Sequence, residues 1–198
     1  MSRWPGAAAR LAGRHVVLEP LAEEHAGDLF VVAQDPAIWE WLDPDASASP
    51  RAFGAWFGQA QDAARRGEEV PFAVRSARTG RVLGSTRYLA LAPEHERLEV
   101  GWTWYAAAVW GTGVNAECKL LLLGHAFERL GCARVELKTD ARNERSRAAM
   151  LGLGFTFEGI HRRHMQTRNG PRDSAWYSVI DDEWPAVRAR LEERLRRY

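Results

Sequence analysis

The stretch Leu98-Glu-Val-Gly-Trp-Thr-Trp-Tyr105, continued by Ala106 to Val109, by Trp110-Gly-Thr-Gly-Val-Asn-Ala-Glu117 and by an apolar run from Cys118 to Leu130, decides how this chain is read. It reads as strand, glycine loop and helix. Ala116, Leu120, Leu123, Phe127 and Leu130 fall at alternating steps of four and three and share one helical face. Gly131 suits the helix stop. The first N–H groups of a helix lack intrahelical partners and carry the positive end of its dipole. Glycines such as Gly111 and Gly113 let a ligand approach the backbone, so the junction is suited to hold phosphate. Taken alone, Gly-x-Gly before a helix is equally a tight turn.

Outward from this stretch, Arg14 to Glu19 reads as a strand closed by Pro20, and Glu23 to Gln34 as a helix ended by Asp35-Pro36. Phe53, Trp56, Phe57, Ala60 and Ala64 mark an amphipathic helix. Val70 to Ser76 and Val82 to Ala90 form a hairpin around Gly80. After the glycine loop and its helix come a strand over Arg134–Thr139, a helix over Arg145–Leu153 and a strand over Thr156–Met165. A turn at Asn169-Gly170 leads to a strand over Ser174–Ile180. Asp182 begins a final helix with Trp184, Val187, Leu191 and Leu195 on one side. The order β-α-α-β-β-β-α-β-α-β-β-α predicts an α/β fold: a mixed, mostly antiparallel seven-stranded sheet with a central parallel pair and flanking helices.

At 198 residues the chain fits one domain over 1–198, with a loose arm over 1–13 and a C-terminal helix over 182–198. Apolar residues make up 46% and charged residues 27%, as in ordinary globular proteins, and a net charge of +1 gives no nucleic-acid footprint. No stretch could span a membrane, and no apolar leader opens the chain. Cys118 and Cys132, the only cysteines, make neither a disulfide framework nor a zinc ligand set, which points to a reducing cytoplasm. Lys119 and Lys138 are the only lysines.

A second strand, polar turn and helix lies in Thr139-Asp-Ala-Arg-Asn-Glu-Arg-Ser146 and onward to Gly154-Phe155. Asn143 near the helix start reads locally as a cap. Together the two stretches resemble the GNAT superfamily of acyl-CoA N-acyltransferases, and more narrowly its RimJ/RimL-like ribosomal-protein N-terminal acetyltransferases. The resemblance runs from Arg14 to about Trp184. It rests on Arg14-His-Val-Val-Leu-Glu-Pro-Leu21, Val100-Gly101-Trp102, Asn143-x-x-Ser146, Gly154-Phe155 and Arg172-Asp-Ser-Ala-Trp-Tyr177.

The resemblance implies acetyl-CoA as acyl donor, no metal, and an amine acceptor that is a protein N-terminus or a small molecule. The family's pyrophosphate pattern, Gln/Arg-x-x-Gly-x-Gly/Ala, falls on Trp110, Gly113 and Asn115, of which only the glycine matches. Trp102, Thr103, Trp110, Gly111, Thr112, Gly113, Val114, Asn115, Asn143 and Arg147 are the implied CoA-binding residues, with Arg145 a further candidate for phosphate. Ser146 is the implied proton donor to the departing thiolate, because Met150 stands where many relatives carry a tyrosine. Glu99 is the candidate general base; the bland alternative is a strand carboxylate paired with Arg97 or Arg134. Strand alternation puts Glu99, Gly101 and Thr103 on one face and Val100, Trp102 and Trp104 on the other. Trp39, Trp41, His164 and Asp173 are assigned to the acceptor side. A non-catalytic CoA-binding sensor or assembly module is the rival reading, and the final strands and helix could support a homodimer.

Overall fold

A computed structural model describes Trp4 and residues 9–198. Its elements are β1 (Leu11–Ala12), β2 (Val16–Pro20), α1 (Ala26–Val32), α2 (Pro50–Arg65), β3 (Val70–Ser76), β4 (Val82–Ala92), β5 (Arg97–Tyr105), α3 (Val114–Gly124), β6 (Arg134–Asp140), α4 (Glu144–Leu153), β7 (Thr156–Thr167), β8 (Gly170–Ile180) and α5 (Trp184–Leu195). The strands form one sheet in the order β1-β2-β3-β4-β5-β6-β8-β7. Only β5 and β6 run parallel, with α3 as the crossover between them.

The sheet has eight strands rather than seven. The extra one falls within the expected arm: Leu11 and Ala12 pair with Leu18 and Val17 around a turn at Gly13. Residues 1–3 and 5–8 of that arm lie outside the described residues. The helix expected over Glu23–Gln34 opens as a 3-10 turn, Glu23–His25, before α1 begins.

Two cores flank the sheet. One gathers Leu98, Val100 and Tyr105 of β5 with buried residues of α3, α4 and α5. The other, beneath α1 and α2, centres on Trp39, Trp56 and Trp104, whose rings pack 5.3 to 5.8 Å apart. Just past Leu122 the α3 register widens to a π turn over His125–Leu130. The Tyr88 hydroxyl donates to the Leu122 carbonyl at 2.7 Å, and such a side chain inserted into the ladder favours a wider turn.

Candidate active site

β5 and β6 pair only over Arg97–Glu99 against Arg134–Glu136. Beyond Glu99 they part. Val100–Tyr105 stays paired with β4 and Leu137–Asp140 with β8. The backbone groups of β5 that face the gap therefore have no strand partner, and such groups must find one elsewhere. The gap is a cleft with α3 and the glycine loop on one wall and α4 on the other.

The parting has a local cause. The register between β4 and β5 slips between the pairs Ser85–Trp104 and Arg87–Gly101, and Trp102 sits at φ +48°. A non-glycine residue there costs about 1–3 kcal/mol and needs support from its surroundings. Arg87 supplies it. Its guanidinium lies 4.9 Å from the Trp102 ring and 5.2 Å from Trp56, and donates to Glu69 at 2.8 Å. The bulge also reverses the alternation expected from sequence. Val100 faces the core under α3, yet so do Thr103 and Tyr105, while Trp102 and Trp104 turn to the α1–α2 side. Thr103 is thus on the face of Val100 rather than that of Glu99 and Gly101.

At the outer end, Trp110 Nε1 donates to the Tyr105 carbonyl at 2.9 Å and fixes the loop. Gly111 has φ +74°, where a side chain would be strained. Gly113 is the N-cap of α3 and has no side chain to cap it; the Val114 N–H reaches Thr112 Oγ1 at 3.4 Å, and those of Asn115 and Ala116 are left for an anion. Arg145 of α4 stacks on Trp110 at 3.8 Å from the ring centroid. A guanidinium from the opposite wall thereby reaches the position where the family pattern has Arg or Gln. Asn115 Oδ1 accepts from the Tyr105 hydroxyl at 3.3 Å.

On the other wall, Asn143 Oδ1 accepts the Ser146 N–H at 3.0 Å and caps α4. Its carbonyl is thus occupied, and its amide NH2 remains to donate into the cleft that Asn143 and Ser146 both line.

The structure brings Trp102, Thr103, Trp110, Gly111, Asn115, Asn143, Ser146 and Trp41 together around the cleft. Thr112, Gly113 and Val114 shape the turn without lining it. Other expected residues fall elsewhere. Trp39 is fully buried, with Nε1 donating to the Ala33 carbonyl, so it belongs to the core. Arg147 is engaged by the Tyr177 hydroxyl at 3.2 Å and the Ala141 carbonyl at 3.0 Å, away from the cleft. His164 and Asp173 lie at exposed positions of the β7–β8 pair. The first meets Ser174 Oγ at 3.0 Å, and the second accepts the Arg163 N–H at 2.7 Å within a bulge.

Glu99 is 3% exposed and paired with Lys138, whereas Arg97 and Arg134 both pair with Glu136. Burial raises the Glu99 pKa, and Lys138 pulls it only part of the way back. Glu99 stands behind Lys138, which lines the cleft.

Sequence reasoning missed Lys119, Lys138 and Arg172 as cleft residues. A signal was present: both of the chain's lysines open on this cleft.

This arrangement, a parted parallel pair with a glycine-led helix N-terminus at its mouth, is that of a GNAT-type acetyltransferase fold. Residues 15–156 match the Acetyltransferase (GNAT) domain, and the chain belongs to that family. It is 29% identical over 102 residues to YoaA of Bacillus subtilis (strain 168), an N-acetyltransferase described as uncharacterized; the match covers 52% of this chain and 57% of that protein. The crystal structure of a GCN5-related N-acetyltransferase from Brucella melitensis is 30% identical, with a TM-score of 0.89 over 96% of this chain and 87% of that one. RimL, a ribosomal-protein alpha-N-acetyltransferase solved with coenzyme A, shares the fold at 18% identity and a TM-score of 0.75 over 88% of this chain and 99% of that one. Among the described residues, no group of three or more His, Cys, Asp or Glu is placed to hold a metal ion, and no helix is long and apolar enough to cross a membrane.

Proposed function

We propose that the protein transfers the acetyl group of acetyl-CoA directly to a primary amine, on a protein N-terminus or a small molecule. The observation that carries this reading is the charge of the cleft. Lys119, Lys138, Arg145 and Arg172 line it and no Asp or Glu does, which suits a polyanionic donor and disfavours a polycationic acceptor. Arg172 Nε is buried without a hydrogen-bond partner, as expected of a group awaiting a ligand. The free N–H groups at the start of α3 and the Arg145 guanidinium hold the pyrophosphate. The open edge of β5 and the Asn143 amide hold the pantetheine amides.

The acceptor amine must be neutral to attack. Glu99 takes its proton through a water, because Lys138 stands between the carboxylate and the cleft. Ser146 donates a hydrogen bond toward the sulfur, and an N–H of β5 steadies the carbonyl oxygen. Ile38, Trp41 and Leu42 form the apolar acceptor end, where Trp41 also stacks under Arg142 at 5.6 Å.

The reading is tested by following CoA release from acetyl-CoA with a panel of N-terminal peptides and small amines, and by mass spectrometry of the products. One class should be acetylated. If no amine accepts while CoA co-purifies with the chain, the protein is the CoA-binding module instead.

The pH profile tests the base. Glu99 acts deprotonated and its pKa is raised, so kcat/KM should climb along a limb above the usual carboxylate range. Lys138→Met removes the group that lowers the pKa, so the limb should move to higher pH. Glu99→Gln should cut kcat about 100-fold and abolish the limb. A profile unchanged in both variants removes Glu99 from this role.

A further inference from the structure

Lys119 stands on the inner side of α3, one turn after Asn115, and is only 4% exposed although it lines the cleft. Its Nζ donates to Thr103 Oγ1 at 3.3 Å, and that oxygen meets Thr86 Oγ1 at 2.8 Å. Among the described residues no carboxylate pairs with it. Glu117, two residues earlier, is turned away and accepts the N–H groups of Arg14, His15 and Val16. The titratable neighbours are no counter-ions either. Burial pushes the Cys118 thiol up to about 12 and raises the Tyr105 hydroxyl well above its ordinary value, so both are neutral. The other charged residues of the cleft, Lys138, Arg145 and Arg172, are cations.

A buried ammonium without a counter-ion is costly, and burial draws its pKa down to about 8. Such a group is satisfied by an anion in the cleft. CoA offers two kinds. Its phosphates belong at the loop, with the α3 N–H groups and Arg145. Lys119 lies one turn, about 6 Å, further along the helix from Asn115, beside Thr103 in mid-strand. The pantetheine arm that reaches inward from the loop is uncharged. Two negative charges arise at its inner end: one on the carbonyl oxygen, which a β5 N–H steadies, and one on sulfur as the thioester breaks, which no backbone N–H meets.

We propose that Lys119 is a catalytic residue whose ammonium receives the departing CoA thiolate. This rests on acetyl-CoA occupying the cleft as the acyl donor. In the step, the neutral amine forms the C–N bond, the C–S bond breaks, and its electron pair leaves on sulfur. Lys119 transfers a proton to that sulfur. The surplus proton of the new amide nitrogen leaves through Glu99 and water, and Lys119 is recharged from solvent, so amine and acetyl-CoA become amide and CoA thiol. The contact accelerates the reaction because the charge it meets is absent from the thioester and appears only in the transition state. Ser146 faces the same sulfur from α4 as a neutral donor, and Lys119 supplies the charge from α3.

The test titrates free CoA and desulfo-CoA into the whole protein by calorimetry near pH 8, with ultraviolet absorbance of the bound thiolate as a second readout. Wild type should bind CoA roughly 10-fold more tightly than desulfo-CoA, a factor worth about 1.4 kcal/mol. The bound thiol should titrate at lower pH than free CoA. Lys119→Met should erase both differences while leaving desulfo-CoA affinity intact, and Lys119→Arg should retain part of them. Equal weakening of both ligands in Lys119→Met would make Lys119 a phosphate contact and overturn the proposal. So would a wild type without preference for the sulfur, a result that needs no folded variant. A wild type that binds neither ligand overturns the cleft reading as well. A wild type that prefers CoA through Lys119 but acetylates no amine upholds the thiolate site and overturns the transfer reaction alone.

Discussion

Replacing Glu117 by alanine should lower the unfolding free energy by about 4 kcal/mol, the sum expected from leaving several buried donors unsatisfied at roughly 1–3 kcal/mol each. The Glu117 carboxylate is 4% exposed. One oxygen accepts the Arg14 N–H at 2.9 Å; the other accepts those of His15 and Val16 at 2.6 and 2.7 Å. It thereby ties the start of β2 to the first turns of α3 across more than 100 residues of chain. Gly13 completes the clasp, since a Cβ there would stand 2.5 Å from Glu117 Cδ. Glu117→Gln keeps one acceptor oxygen and should lose about half as much, on the order of 2 kcal/mol. Urea unfolding with an unchanged m-value measures both. A loss below about 1 kcal/mol in Glu117→Ala would show that water replaces the carboxylate, and that the clasp does not hold α3 in place. Because α3 presents the glycine loop, the folded fraction of Glu117→Ala should also show a raised KM for acetyl-CoA.

Gly84→Ala should be as damaging for a different reason. A Cβ at this position would lie 2.0 Å from the Trp104 carbonyl oxygen and 2.8 Å from Tyr105 Cα. Both are backbone atoms, so no rotamer change relieves the clash. β4 and β5 must separate beside the bulge that opens the cleft. We expect a loss of about 3 kcal/mol or more and a fall in acetyl-CoA affinity in whatever folds. Gly111→Ala is the matching control. Nothing lies within 4 Å of its Cβ position, so only the left-handed backbone at φ +74° resists it, at about 1 kcal/mol. If the two variants melt alike, close approach of the strands at Gly84 is not what limits this part of the sheet.

Much of the fold was legible because it is locally encoded. The period of Ala116, Leu120 and Leu123, the Asn169-Gly170 turn and the hairpin turn at Gly80 each depend on residues a few positions apart. The strand and helix order followed, and with it the parallel pair. β1 was missed because two residues, Leu11 and Ala12, carry no periodic signal. Of the site, the residues near the backbone turns were legible: Trp110, Gly111, Asn115 and Asn143 all border the cleft. Local chemistry places a glycine loop or an N-cap wherever the chain turns.

The residues misplaced from sequence share a cause, which is that their surroundings come from distant segments. Trp39 reads like Trp41, but only the packing of Trp56 and Trp104 shows that the first is core and the second cleft wall. Glu99 reads as a partner for Arg97 or Arg134 until β6 is laid beside it and brings up Lys138. His164 and Asp173 belong to a strand pair whose bulges decide where side chains point. Thr103 is the clearest case. Composition and period determine that Leu98 to Tyr105 is a strand that enters a glycine loop. Alternation then assigns Thr103 to the face of Glu99, and it would stay there were the strand regular. The left-handed turn of the chain at Trp102, stabilised by Arg87 and Trp56 from other elements, moves Thr103 to the face of α3 and into contact with Lys119. A two-residue period carries no record of a bulge, because the strain that a bulge introduces is offset by neighbours far away in sequence, and those exist only once the chain has folded.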